Sequence, residues 1–146
     1  ASRNCCDAIR SYASGFIFTT SLAPAIAAAA LESVRLVRAC PHLRERLAER
    51  AAYLKDLLRQ EGLPVMASTT HIVPLFVGDA ALCKALSDEL LLKHGIYAQP
   101  INYPTVPRGS ERLRLTPSPF HDDALMQHLI TALRAVWPSQ TSQAAA

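Results

Sequence analysis

Over residues 42–62 the apolar positions Leu43, Leu47, Ala51, Leu54 and Leu58 recur every three or four residues, while Arg44, Glu45, Arg59 and Gln60 take the opposite side. That spacing is the apolar stripe of an α-helix and predicts a surface helix of about five turns. Gly62 suits its C-terminal cap, and Pro64 prevents continuation. Residues 65–66 and 71–77 then read as strands, 80–94 as a second amphipathic helix stopped by Gly95, and 96–101 as another strand. Residues 102–109 form a loop, because Pro104 and Pro107 cannot join a central strand. A short strand over 113–116 follows. Asp122 opens a last helix with Leu125, Leu129, Leu133 and Val136 on one face, and Pro138 ends it. The small-residue tail 139–146 is expected to be disordered.

The chain before residue 40 has a different pattern. Residues 15–21, Gly-Phe-Ile-Phe-Thr-Thr-Ser, predict a buried strand running into a helix cap at Ser21. Residues 24–38 predict a helix that is apolar on nearly every side, hence buried or packed against a partner. The fold class expected is α/β, or α+β for a small domain over 41–138 in which helices cover a small sheet. Residues 1–40 are expected to be the end of a larger domain. The first residues carry neither a methionine nor a helix start, so further sequence upstream is expected.

Composition narrows the setting. Half the residues are hydrophobic and 18% are charged, which fits a globular chain. The net charge of +3 comes from arginines interleaved with acids, as in Arg44-Glu45-Arg46, and this argues against a nucleic-acid partner. The longest uninterrupted apolar run, residues 25–31, is far short of the ~18 residues that read as a membrane span. Four cysteines, with Cys5 and Cys6 adjacent, match neither a disulfide framework nor a metal-binding spacing. No metal is expected, no signal peptide is visible, and a reducing cytoplasm is the simplest compartment.

Candidate chemistry is concentrated in residues 102–114, which carry Asn102, Tyr103, Thr105, Arg108, Arg112 and Arg114. Residues two apart on a strand share a face, so Arg112 and Arg114 point the same way with Leu113 turned to the core. Such an arginine either grips a carboxylate through two parallel hydrogen bonds or simply faces solvent on an edge strand. Thr19-Thr20-Ser21 ahead of a helix can hold a phosphate, or can merely cap that helix. His71 reads as a hydrogen-bonded strand or loop residue rather than a catalyst. Cys40-Pro41 is similar to the cysteine–proline pair of haem-responsive regulatory motifs, but such a dipeptide occurs readily by chance, and a small buried cysteine at a helix break is the preferred reading.

These segments together resemble the 5-aminolevulinate synthases, a branch of the α-oxoamine synthase family of pyridoxal-phosphate (PLP) enzymes. The resemblance rests on Arg10-Ser11-Tyr12-Ala13, on Gly15 through Leu22, on Ala30 through Arg35 and on His71-Ile72-Val73-Pro74. It continues through Ile96 to Gly109, whose Asn-Tyr-Pro-Thr-Val-Pro-Arg-Gly run is its most specific part, and through Glu111-Arg112-Leu113-Arg114 to His121. It implies the carboxy-terminal portion of a fold-type I homodimer, with a cofactor site shared between subunits. The implied reaction condenses glycine with succinyl-CoA, releasing CoA and carbon dioxide, at the start of haem and tetrapyrrole synthesis. The compartment would be the bacterial cytoplasm, or the mitochondrial matrix in a eukaryote.

By the same resemblance Arg114 holds the glycine carboxylate, and Thr19 and Thr20 reach the cofactor phosphate of the neighbouring subunit. Thr105 belongs to the loop that closes over the acyl-CoA, as do Asn102, Tyr103 and Arg108. The family's Schiff-base lysine, its aspartate at the pyridine nitrogen and its stacking histidine lie upstream of the Arg-Ser-Tyr-Ala segment, and none can be placed here. Lys55, Lys84 and Lys93 are the only lysines and sit in unlike settings. The chain alone is therefore expected to be inactive. The alternatives are a non-catalytic dimerising remnant, with the 24–38 helix as a sticky patch, and a sister α-oxoamine synthase using another acyl-CoA.

Overall fold

A computed structural model describes residues 2–138, so the expectation for the 139–146 tail lies outside the described residues. The chain divides between Cys40 and Pro41 into two units.

The first unit holds α1 (Arg3–Tyr12), α2 (Ser14–Ile17) and α3 (Pro24–Ala39). Ser2 caps α1, its hydroxyl accepting from the Cys5 amide at 3.3 Å. The strand expected over residues 15–21 is absent. A strand must hand its backbone groups to a neighbour, and the described residues of this unit contain no other strand to receive them. The segment satisfies them locally instead, with the Ile17 amide donating to Ala13 at 2.9 Å and the Phe18 amide to Ser14 at 3.1 Å. Helix α3 forms where the pattern places it, with Pro24 in its first turn. Its expected burial does not follow. Ile26, Leu31, Val34, Leu36 and Val37 are all exposed, and within its own unit no other element packs against it.

In the second unit, α4 (Pro41–Gln60), α5 (Ala80–His94) and α6 (Asp123–Val136) cover one face of a three-stranded sheet made by β1 (Val73–Phe76), β2 (Gln99–Ile101) and β3 (Arg112–Leu115). The order β1-β3-β2 puts β3 in the middle, antiparallel to both neighbours. Beyond β1, Val65 bridges Leu75, and the Met66 amide donates to the Pro74 carbonyl at 2.9 Å.

The helix ends are where the punctuating residues predict them. Gly62 and Gly95 take φ of 69° and 68°, a left-handed conformation that relieves the last turn at no steric cost to glycine. Asp79 and Asp122 accept from the amides of Leu82 and Leu125 at 2.7 and 2.8 Å and cap α5 and α6.

The core joins Leu54 and Leu58 of α4 to Val73 and Leu75, Leu86 and Leu90, Leu113 and Leu115, and Ile130 and Leu133. Each such side chain contributes about 1.5–3 kcal/mol by leaving water. On α6 the expected face holds at Leu133, which is buried, and at Leu129 and Val136, which pack half-buried against the core, whereas Leu125 is 52% exposed and Met126 and Ile130 join the buried side. Packing between α4 and α5 turns the first turn of α6 so that Met126 rather than Leu125 is buried.

Leu113→Ala, emptying a fully buried site in the middle strand, is expected to lower unfolding free energy by about 2–5 kcal/mol, and Leu125→Ala by less than about 1 kcal/mol. Urea denaturation of the two variants checks the order; a larger loss at Leu125 would mean that α6 is turned differently.

Candidate functional site

The two-residue period of β3 sorts its side chains. Leu113 and Leu115 turn inward and are buried, while Arg112 and Arg114 turn to the face that the helices leave open. Antiparallel register sets two rows on that face: Phe76, Arg112 and Ile101 in one, and Pro74, Arg114 and Gln99 in the other. β3 is therefore not the edge strand that a solvent-facing reading of these arginines supposed, because both of its sides are paired.

The Arg114 side chain is exposed and makes neither a hydrogen bond nor an ion pair among the described residues. Gln99 beside it is turned elsewhere, accepting from the Tyr97 hydroxyl and donating to the Pro100 carbonyl at 3.0 Å. Pro74 on the other side offers no donor or acceptor in its side chain. The guanidinium therefore presents its fork of donors on a backbone held from both edges, as bidentate binding of a carboxylate requires.

Residues 102–111 connect β2 to β3 and carry the remaining candidates. Asn102 is half-buried, its side-chain amide donating to the Ala80 carbonyl at 3.2 Å. Its own carbonyl receives the amide of Thr105 at 2.9 Å and that of Val106 at 3.4 Å, which starts the turn. Thr105 is exposed, and the Arg108 guanidinium lies 5.0 Å from the centre of the exposed Tyr103 ring, within cation–π range. Arg112, not singled out for a role of its own, donates from Nε to the Ser110 carbonyl at 2.9 Å.

Two buried groups went unread in the sequence. Glu111 is 3% exposed with Oε2 lacking a donor, and its carbonyl receives the amides of Val77 and Gly78. Cys83, in the first turns of α5, is fully buried, and burial, with the Glu111 charge adding to it, pushes its thiol pKa up. A glutamate beside arginines looks like an ordinary surface ion pair, so no local signal marks it.

Thr19 and Thr20 lie in the first unit and are exposed. They do not cap α3. Its N-cap is Ala23, with no side-chain bond, and the hydroxyl residues sit outside capping reach. His71 is exposed in a bend ahead of β1, and Cys40 is the half-buried C-cap of α3. No cluster of metal-ligating side chains occurs among the described residues. A crevice of about 300 Å³ opens elsewhere in the second unit, between Leu115 on the covered face of β3 and His94, His121 and His128.

The residues of this chain do not by themselves fit a PLP site. Lys55 donates to the Ser68 and Thr70 carbonyls at 2.9 and 2.8 Å, and Lys84 and Lys93 pair with Asp88 and Glu89 along α5. All three are on helices packed against the opposite face of the sheet from Arg114.

The sequence pattern of aminotransferase class I and II proteins matches residues 1–133. The chain is 60% identical over 131 residues to a 5-aminolevulinate synthase of Bradyrhizobium diazoefficiens, covering 90% of this chain and 32% of that protein. It is 49% identical over 139 residues to the human erythroid-specific, mitochondrial 5-aminolevulinate synthase, covering 94% of this chain and 24% of the relative. Among solved structures, a serine palmitoyltransferase of Sphingomonas wittichii superposes with a TM-score of 0.78 at 25% identity, over 93% of this chain and 35% of its own. An SPT solved with PLP superposes at 0.79 and 28% identity, over 93% of this chain and 35% of its own. The chain thus spans about a third of the length of the bacterial relative.

Because Arg114 has no partner that its loss would strand, Arg114→Leu is expected to change unfolding free energy by no more than about 0.5 kcal/mol. A drop several times larger in denaturant titration would reveal a structural role instead. Cys83 gives a pH signature. Below the ordinary thiol value of 9.0 both folded and unfolded chains keep its proton, and pH does nothing through this group. Above that value the unfolded chain ionises first, so stability falls as pH rises. Cys83→Ala should flatten that part of the stability–pH curve.

Proposed function

The chain belongs to the aminotransferase class I and II family, and from that premise we propose that it is the carboxy-terminal, substrate-gripping part of a 5-aminolevulinate synthase. The whole protein then joins glycine to succinyl-CoA with PLP as its cofactor, as a homodimer, in the bacterial cytoplasm or the mitochondrial matrix. Residues 1–40 belong to its larger domain and residues 41–138 form its small domain.

The observation that carries this reading is the unpartnered guanidinium of Arg114 on the open face of the middle strand. A free amino acid is recognised by its carboxylate, and a planar fork with no competing acceptor inside the protein is the complementary group. The β2–β3 connection supplies the second half of recognition. Thr105 offers a hydroxyl, and Arg108 with Tyr103 offers a cation held over an aromatic face, all on a segment free to close over an acyl-CoA. The identity to 5-aminolevulinate synthases supports the choice of substrates.

In this reading Arg114 orients the amino acid, and the loop residues orient the acyl donor and exclude water. Thr19 and Thr20 reach the cofactor phosphate in the neighbouring subunit. Among the described residues all three lysines are engaged in hydrogen bonds or ion pairs on the helices, so catalysis by this chain alone is not expected.

In the complete protein carrying this segment, Arg114→Leu is expected to raise the glycine KM roughly 30-fold or more, with the acyl-CoA KM moving far less. Equal changes in both constants would refute the carboxylate role. Turnover with succinyl-CoA but not acetyl-CoA separates this reaction from that of a sister synthase.

A further inference from the structure

We infer that Asn102 and Arg112 are positioning residues that clamp the two bases of the β2–β3 connection, so that Thr105 and Arg108 are presented together on one braced flap. The functional consequence rests on the substrate reading above; the clamp itself rests on geometry alone.

The pairing of β2 with β3 ends at Ile101 opposite Arg112, and everything between is connection. At its first base, Asn102 ties its side-chain amide to the Ala80 carbonyl at the start of α5. The same residue's carbonyl collects the amides of Thr105 and Val106. Asn102 therefore couples a fixed helix to the turn that carries Thr105, its half-buried side chain bonding the protein's own backbone. Its Oδ1 is buried without a donor, so the amide is kept in place by its bond to Ala80 and not by a surrounding network.

At the second base, Arg112 lies in the row between Phe76 and Ile101 and holds the Ser110 carbonyl through Nε. Ser110 in turn donates from both its amide and its hydroxyl to the Pro107 carbonyl. The neighbouring Glu111 carbonyl is locked by the amides of Val77 and Gly78. Between the bases, residues 103–109 make no hydrogen bond to anything outside residues 102–110 among the described residues. Their own brace is the stack of Arg108 on Tyr103. A segment tied at two points and stacked on itself swings as one piece; released at either base, it loses the spacing between Thr105 and Arg108.

The clamp can be tested on this chain without any catalysis. Trypsin cuts after Arg108, and cleavage of a folded chain reports the population of open loop. Asn102→Ala and Arg112→Leu are each expected to speed cleavage at Arg108–Gly109 by about tenfold, with far-UV circular dichroism and cleavage within α4 unchanged. Arg112→Lys, which keeps the charge but loses the Nε–H donor, should behave like Arg112→Leu. Unchanged cleavage in all three variants overturns the inference, as does a rise shared by sites throughout the second unit, which would reveal global loosening. Amide exchange of Thr105 and Val106 in the same variants gives a second readout, expected to accelerate with cleavage. In the complete protein the same substitutions should raise the acyl-CoA KM and leave the glycine KM within about twofold. Faster cleavage with unaltered kinetics would uphold the clamp and count against the substrate reading alone.

Discussion

The second unit depends on the alternation of β3. In four residues, Arg-Leu-Arg-Leu, this strand sends two leucines into the core and two guanidiniums to the open face. The apolar half makes the charged half possible. With Leu113 and Leu115 buried under three helices, a slip of one residue would drive both arginines into the core, where an unpaired charge is heavily penalised. The core therefore fixes the register, and the register fixes where the positive charge stands.

In the proposed function, recognition is divided between two kinds of backbone. Arg114 stands on a strand paired on both edges, with neighbours Pro74 and Gln99 that do not compete for its donors. Thr105, Tyr103 and Arg108 ride on a hairpin connection anchored only near its ends. A small carboxylate needs a fixed fork, whereas a bulky acyl donor must enter and leave, and the two demands fall on different elements.

Much of the second unit was legible in the sequence because its punctuation is chemical. Gly62, Gly95 and Asp122 stop and start helices for reasons internal to a few residues, so α4, α5 and α6 are found within a residue or two of their predicted ends. The alternation at Leu113 was equally local. What escaped was whatever depends on partners far along the chain. Residues 15–21 have strand-forming side chains but no strand to pair with among the described residues of their own unit, and the first of them close a helical turn instead. Leu125 and Met126 at the start of α6 both fit an apolar stripe, and only the neighbouring helices α4 and α5 decide which of them is buried. Asn102 sits in a loop, and nothing local marks that its side-chain amide bonds Ala80, twenty-two residues earlier in the chain.

The order β1-β3-β2 has a consequence for how such a protein can diversify. Under the proposed function, changes within the connecting hairpin would alter the shape offered to one reactant without touching the hydrogen-bonded ladder that supports Arg114. Selectivity for the larger molecule would then be open to drift by substitution, insertion or deletion, while the grip on the smaller one would be inherited with the hydrophobic interior and change only when the domain itself does.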